Sequence, residues 1–180
     1  MSKKPFFIRL FGIMAFSILF IPTASYADQY YDQYPGNSFF PDDETVSYEK
    51  GPDNPYLSHD DTDDKYYYCP INFNVPDGST YFIKSIGMLY KDNLTDGYLR
   101  VRLYRQNLYT SAEHLVADWS SGKPNASVGE QTASHGTISG FKLVDSKKFA
   151  YWLCVYFYRD GDVNPGSNLV LYQVRIHYGT

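Results

Sequence analysis

Two arginines and two tyrosines occupy every second position of one short stretch. Their types and spacing are the best suited to ligand binding in this sequence. Residues 98–104 read Tyr-Leu-Arg-Val-Arg-Leu-Tyr, so an aliphatic residue occupies every second position. Alternate side chains of a β-strand point to opposite faces, which predicts an outer row of Tyr98, Arg100, Arg102 and Tyr104. Such a row can stack sugar rings on tyrosine and hold acidic groups with arginine. The alternative is a solvent-facing sheet covered by long polar side chains.

The last predicted strand carries two more polar side chains that suit the same site. Its inner positions are Val170, Tyr172, Val174, Ile176 and Tyr178, and its outer positions are Gln173, Arg175 and His177. If this strand pairs beside residues 98–104, Arg175 and His177 extend the outer row and complete the predicted ligand-binding site. The row could equally receive the acidic N-terminal part of the same chain.

Two acidic groups raise the question of calcium, which takes several oxygen ligands at once. Residues 60–64 read Asp-Asp-Thr-Asp-Asp, but the glycine and glutamate of an EF-hand loop are missing at the required positions. Asp92 and Asp96 lie in a loop between two predicted strands, where the pattern is also ordinary turn chemistry. These two residues are the calcium candidates, and no other metal or cofactor is predicted.

Motifs for nucleophilic, phosphate-binding and zinc chemistry are absent from the sequence. There is no Gly-x-Ser-x-Gly elbow, no glycine-rich phosphate loop and no His-x-x-x-His pair. Glycoside hydrolysis needs two carboxylates that face each other across a cleft, and the sequence does not single out such a pair among Glu113, Asp118 and Glu130. The sequence therefore favours a non-enzymatic protein, with a hydrolase that lacks a recognisable motif as an alternative.

The first 27 residues have the organisation of a secretory signal peptide. Three basic residues precede an apolar run at residues 10–21, and Ser-Tyr-Ala at residues 25–27 forms a cleavage site. The run is shorter than the roughly 20 residues of a membrane-spanning helix, although an uncleaved anchor is an alternative. We predict a secreted or periplasmic protein that is cleaved near Ala27 and has no membrane span afterwards.

Cys69 and Cys154 are the two cysteines of the chain, and the predicted compartment is oxidising. A disulfide between them is therefore expected. The chain-entropy model gives such a bond at most about 4.5 kcal/mol of stabilisation. The alternatives are a free catalytic thiol or a metal ligand, although the chain has no Cys-x-x-Cys spacing.

Charge divides the chain near residue 65. Residues 28–64 contain 11 acidic residues and one basic residue, whereas residues 65–180 contain 9 acidic and 12 basic residues. The first segment also has four prolines and few aliphatic side chains, which predicts a disordered acidic leader. Its many aromatic residues leave open that it folds back onto the basic body. Because the mature chain is acidic overall, nucleic acid is not an expected partner.

Period-two alternation recurs through residues 65–180, and helical periodicity is nearly absent. Predicted strands alternate at Ile71, Phe73 and Val75, at Leu115, Ala117 and Trp119, and in the segments already described. Residues 149–158 are apolar at almost every position, which predicts a central strand covered on both sides. We predict one all-β domain over residues 65–180, an antiparallel β-sandwich of jelly-roll type with seven or eight strands.

Several strand-and-turn motifs of the body resemble those of uncharacterised secreted bacterial β-sandwich domains. They are Val75-Pro76-Asp77-Gly78, Met88-Leu89-Tyr90-Lys91-Asp92-Asn93, Val101-Arg102-Leu103-Tyr104-Arg105 and Leu171-Tyr172-Gln173-Val174-Arg175-Ile176. The resemblance covers residues 69–180 and implies a jelly-roll-like fold, but it brings no catalytic residues.

These observations together favour a secreted binding module whose partner is a carbohydrate or a protein at the cell surface. One alternative is a structural or assembly protein of the cell surface or matrix, in which tyrosine faces pack between copies. An exposed aromatic and arginine face would favour binding, and a large apolar patch would favour assembly. Two carboxylates facing each other in a cleft would favour a hydrolase.

Overall fold

The computed structural model describes residues 29–42, 49–50, 56–59, 64–76, 78–92, 97–122, 127–134, 137–138, 140–158 and 169–180. The signal peptide predicted over residues 1–27 lies outside them. The strands are β1 (Gln29–Pro35), β2 (Phe40–Pro41), β3 (Glu49–Lys50), β4 (Leu57–His59), β5 (Lys65–Ile71), β6 (Tyr81–Asp92), β7 (Tyr98–Asn107), β8 (Glu113–Ser120), β9 (Ser127–Ser134), β10 (Thr137–Ile138), β11 (Leu143–Val144), β12 (Phe149–Tyr158) and β13 (Leu169–Gly179). The described residues form one short 3₁₀ turn, Gly36–Ser38, and no α-helix, so none of them belongs to a helix able to cross a membrane.

The strands form two antiparallel sheets. In the described part of the chain, sheet A has β6 and β13 at its centre, with β9 and β11 beside β6, β1 and β4 beside β13, and β3 beyond β4. Sheet B has the order β10-β8-β7-β12-β5-β2. The side chains that face inward from both sheets form one hydrophobic core.

The pairing of eight strands defines the fold as a jelly roll. These eight strands are β4 to β9, β12 and β13, counted in chain order. The first, β4, pairs with the last, β13, and the second, β5, pairs with the seventh, β12. The third pairs with the sixth and the fourth with the fifth. These nested antiparallel pairs are the two Greek keys of a jelly roll. The predicted antiparallel β-sandwich of jelly-roll type is confirmed, and the remaining short or terminal strands extend its sheets.

The alternation on β7 and β12 produces the inner side of sheet B. Leu99, Val101 and Leu103 of β7 are at most 1% exposed, as their spacing predicts. β12 lies between β7 and β5 and is central, also as predicted. Its outer side is only partly covered and carries the aromatic residues Trp152, Tyr156 and Tyr158. The expected cover on both sides is therefore wrong, because large rings with a polar edge can stand at a solvent surface.

A β-bulge changes the predicted alternation of β8. Leu103 of β7 pairs with Ala117, whereas the next residue, Tyr104, pairs with Leu115. Val116 is thus an extra residue, and the strand changes face at this point. Leu115 lies on the outer side and is 39% exposed, while Val116 and Ala117 are buried. The predicted inner series of Leu115 and Ala117 is therefore wrong at its first member.

Several segments of the predicted acidic leader belong to the sandwich. β1 pairs with β13 along its whole length, β2 pairs with β5, and β4 pairs with β13. Phe39 and Leu57 are fully buried in the core. The expectation of disorder does not apply to these segments, because their aromatic residues supply apolar surface that a count of aliphatic residues overlooks. These segments instead fold back onto the body, which is the alternative that the sequence offered.

Cys69 and Cys154 are buried free thiols, so the predicted disulfide is wrong. The pairing of β5 with β12 gives the reason. Cys69 lies opposite Leu153 on the core side, whereas Cys154 lies opposite Tyr68 on the outer side. Because successive residues of a strand point to opposite faces, the two thiols lie on opposite sides of sheet B. Burial raises the pKa of both thiols, that of Cys154 to about 11.

Candidate functional site

The residues of the predicted binding site lie on two different faces of the sandwich. The outer side of sheet B carries Tyr98, Arg100, Arg102 and Tyr104, which alternate with the buried residues of β7. Arg175 and His177 do not extend this row, because β13 belongs to sheet A. The condition that the last strand pairs beside β7 is not met, and the site divides into two groups.

Aromatic rings of β12 stand beside the row on sheet B. Tyr104 stacks on Trp152 with 5.7 Å between ring centroids, and Tyr98 stacks on Tyr158 at 4.9 Å. Both pairs are directly opposite residues of β7 and β12, where the Cβ atoms of cross-strand neighbours lie about 5 Å apart. The stacks therefore follow from strand register, and they lie at the two ends of the row.

A third stack extends this aromatic surface to β5. Tyr156 stacks on Tyr66 at 4.6 Å, and its ring meets the edge of Tyr98 at 6.0 Å. The Tyr156 hydroxyl donates a hydrogen bond to the Asp64 carboxylate. Burial, followed by this hydrogen bond, raises the pKa of Tyr156, so the hydroxyl stays protonated at neutral pH. The sheet B face, as used below, consists of Tyr66, Tyr98, Arg100, Arg102, Tyr104, Asp118, Trp152, Tyr156 and Tyr158.

One carboxylate is shared by the two arginines at the centre of the sheet B face. Asp118 of β8 accepts two hydrogen bonds from the Arg100 guanidinium, one of them 2.8 Å from Nε to Oδ1. Its Oδ2 lies 3.8 Å from Arg102 Nε, and Arg102 Nη1 donates to the Tyr104 hydroxyl at 3.4 Å. The hydrogen bonds to Asp118 raise the pKa of Arg100. This bidentate pairing fixes the guanidinium plane and offsets part of the positive charge.

Exposed apolar side chains border the sheet B face. Phe40 of β2 is 57% exposed and lies opposite Tyr68 of β5, which is 37% exposed. Leu115 lies at the other border, beside Tyr104. The apolar pattern of residues 149–158 predicts cover on both sides of β12, so it does not indicate that the aromatic residues of β5 and β12 belong to the site. Their ring-and-hydroxyl character was the available signal, but only the strand order places them beside β7.

The second group of predicted residues lies on the outer side of sheet A. Tyr31 of β1 stacks on His177 at 4.5 Å with 11° between the ring planes. The guanidinium carbon of Arg175 lies 5.9 Å from the centroid of the Tyr31 ring. Burial, and next the charge of Lys84, lower the pKa of His177, so its imidazole is neutral at pH 7.

A cleft of about 500 Å³ lies at one end of β6, where Ile138 of sheet B also lines it. It is lined by Phe82, Ile83, Lys84, Ile138, Gly140 and Lys142. The Nζ atoms of Lys84 and Lys142 lie 5.7 Å and 6.0 Å from the centroid of the Phe82 ring. The sheet A face, as used below, consists of Tyr31, Phe82, Lys84, Lys142, Arg175 and His177.

Asp92, one of the two calcium candidates, has a structural role. It is 2% exposed, and its Oδ2 accepts a hydrogen bond from the Ser121 hydroxyl at 2.6 Å. The Ser121 hydroxyl oxygen in turn accepts a bond from the Leu99 amide at 2.9 Å. Asp96 lies outside the described residues. No group of three metal-ligating side chains occurs among those that the structure describes, and a calcium site in this loop stays a prediction.

Comparison with known proteins finds similarity to solved structures only. No protein-family model and no curated protein matches the chain. A family 11 carbohydrate-binding module from Clostridium thermocellum, solved with a β-1,3-1,4-mixed-linked tetrasaccharide, is 8% identical with a TM-score of 0.41, covering 81% of this chain and 87% of that chain. The Podospora anserina GH26-CBM35 β-(1,4)-mannanase is 12% identical with a TM-score of 0.39, covering 81% and 27%.

A structure of infectious bursal disease virus, Gx strain, is 7% identical with a TM-score of 0.42, covering 86% of this chain and 32% of that chain. The present chain therefore spans about a third or less of the mannanase and of the viral protein. The assignment of the fold rests on the strand order, and the assignment of a site rests on the two outer faces themselves.

Proposed function

We propose that the protein is an exported, non-enzymatic carbohydrate-binding module whose ligand lies across the sheet B face. The observation that carries this proposal is the arrangement of aromatic stacks at both ends of the face with Arg100, Arg102 and Asp118 between them. Aromatic rings offer apolar surface to the C–H groups of a sugar. Guanidinium, carboxylate and tyrosine hydroxyl groups offer hydrogen-bond donors and acceptors to its hydroxyl groups.

The size and charge of the face favour an uncharged oligosaccharide. Trp152 and Tyr156 are four residues apart on β12, which corresponds to about 13 Å along an extended strand. A ligand that contacts both rings must therefore be longer than one sugar. Asp118 already offsets part of the positive charge of the two arginines. The face therefore supplies directional hydrogen bonds but attracts an anionic ligand only weakly.

A protein at the cell surface, including a second copy of this chain, is the second candidate ligand. The observation in its favour is the exposed apolar border formed by Phe40, Tyr68 and Leu115. Tyrosine, tryptophan and arginine are also enriched at the centres of protein interfaces. In this case the face and its border would be buried together, whereas an oligosaccharide would need only the face.

The test is a binding screen of the full chain against neutral polysaccharides, namely a soluble cellulose derivative, xylan, mannan and β-glucan, by affinity electrophoresis and calorimetry. We expect at least one of them to bind. The double variant W152A/Y104A should then bind at least about tenfold more weakly. The matched control is Y109A, which removes an 80% exposed tyrosine from the turn between β7 and β8 and should leave binding unchanged.

Two outcomes would contradict the carbohydrate proposal: no binding to any of the four polysaccharides, or equal binding by W152A/Y104A and Y109A. Self-association in sedimentation that F40A/Y68A abolishes would instead support the protein candidate. Export is tested separately by N-terminal sequencing of protein recovered outside the cytoplasm, which should begin just after Ala27.

A further inference from the structure

The sheet A face carries positive charge that no described residue neutralises. Within the described part of the chain, the ion pairs are those of Asp118 with Arg100 and Arg102. None of them involves Lys84, Lys142 or Arg175. Lys84, Lys142 and Arg175 are also exposed. Unpaired cations on one side of a protein raise the local concentration of anions. This surface is therefore suited to an anionic ligand.

The charged residues lie along β13 and β6 and on the segment before β11, where the Lys142 carbonyl oxygen accepts a hydrogen bond from the Ile83 amide. His177 of β13 lies directly opposite Tyr31 of β1 on one side and Ser85 of β6 on the other. Lys84 is the neighbour of Ser85, and its charge acts on His177. Phe82 lies on the same side of β6, two residues from Lys84. An extended ligand can therefore contact the Tyr31–His177 stack and the cleft at Phe82 together.

We propose that the sheet A face is a second binding site, which takes an anionic polysaccharide of the polyuronate class. Its sugar rings lie over Phe82 and Tyr31, and its carboxylates contact the ammonium groups of Lys84 and Lys142 and the guanidinium of Arg175. The aromatic rings and the apolar lining of the cleft favour a charged sugar over an inorganic polyanion, which has no apolar surface to bury. This site is separate from the sheet B face and does not depend on the function proposed for it.

The test measures binding of the full chain to polygalacturonate, with fully methyl-esterified polygalacturonate and inorganic polyphosphate as comparison ligands. We expect binding to polygalacturonate that weakens with added salt and at least about tenfold weaker binding to the methyl ester. The double variant K84Q/K142Q should lose at least about tenfold in affinity. The control K147Q/K148Q changes the net charge equally in the exposed turn before β12 and should retain most of the binding.

A variant that removes only a ring separates sugar recognition from charge attraction. F82A should weaken polygalacturonate binding while leaving any polyphosphate binding unchanged, with an unaltered melting temperature as the check on folding. The proposal is overturned if polygalacturonate does not bind or if K84Q/K142Q and K147Q/K148Q bind equally. Equal binding of polygalacturonate and its methyl ester, or a preference for polyphosphate that F82A leaves untouched, overturns it as well.

Discussion

The two outer faces of the sandwich use similar residue types but balance their charge differently. On the sheet B face, Arg100 and Arg102 share the Asp118 carboxylate. On the sheet A face, Arg175 and two lysines have no carboxylate partner among the described residues. The same architecture thus presents one face whose charge is largely offset and one face that is cationic, and both contain stacked aromatic rings.

Cross-strand neighbours explain this difference. Arg102 of β7 lies opposite Asp118 because β7 and β8 form a hairpin. Arg175 of β13 lies between Gln33 of β1 and Gly87 of β6, neither of which carries a charge. A cation on a sheet surface is therefore paired or free according to which residues the strand order places beside it.

The largest expected effect concerns the attachment of β1, which carries Tyr31 of the sheet A face and no residue of the sheet B face. A Cβ on Gly36 would lie 2.2 Å from the Leu171 carbonyl oxygen and 2.6 Å from the Leu57 amide nitrogen, which are backbone atoms. G36A should therefore destabilise the protein by about 3 kcal/mol, measured by urea unfolding. It should also weaken polygalacturonate binding, because β1 carries Tyr31.

The matched control for this prediction is G140A, because nothing lies within 4 Å of a Cβ at Gly140. Its unfolding midpoint should equal that of the wild type. Equal stability of G36A and G140A would show that β1 and the 3₁₀ turn are not held against β13 in the way described.

Removing the shared carboxylate should make the sheet B face resemble the sheet A face. D118N leaves Arg100 and Arg102 without a counter-charge, so we expect polygalacturonate affinity to rise several-fold, on the order of 1 kcal/mol. The stability cost should be about 1 kcal/mol or less, since the pair is partly exposed. E113Q is the control, because Glu113 lies on the same strand opposite Gln106 and away from the arginines. No gain in affinity for D118N over E113Q would contradict the role given to Asp118.

A smaller effect should come from a change in pH, which acts on His177 of the sheet A face. The pKa of His177 is lowered in the folded state from its ordinary value of 6.5, so the unfolded chain binds this proton more readily. The contribution of neutral His177 to the free energy of unfolding is therefore complete above pH 6.5, and it decreases as the pH falls from there through the lowered pKa. We expect the melting temperature of the wild type to fall more than that of H177Q between pH 7 and pH 5. Parallel curves would show that His177 does not titrate as described.

The smallest effect concerns the thiols on the two sides of sheet B. Because burial raises the pKa of Cys69 and Cys154, neither should be labelled rapidly by a maleimide at pH 7 in the folded protein. Unfolding without a reductant should expose two reactive thiols, counted by mass. A count of zero would restore the disulfide expected from the sequence.

Local features of the chain were predictable from the sequence. The alternation on β7 places its apolar residues inward, as expected. The first body strand differs, because β5 ends at Ile71. Phe73 nevertheless enters the core and packs edge-on against Tyr151 and Tyr178, with centroids 5.0 Å apart in both cases. Apolar spacing therefore predicted its burial without predicting its hydrogen bonding.

Features that depend on distant strands were not predictable in this way. The position of Arg175 and His177 depends on which sheet contains β13, and the separation of the two thiols depends on the register between β5 and β12. The bulge in β8 moves Leu115 to the outer side through one extra residue. Each of these outcomes is set by pairing between segments far apart in the chain, and a one-residue change in register reverses the face of a side chain.

The central claim is that the two faces bind different ligands independently, and a competition titration tests it most directly. Polygalacturonate is titrated into the full chain by calorimetry, with and without a saturating amount of the neutral polysaccharide found in the screen. We predict the same polygalacturonate affinity in both titrations, with W152A/Y104A losing only the neutral ligand and K84Q/K142Q only the anionic one. Displacement of one ligand by the other, or loss of both ligands in either variant, would contradict the claim.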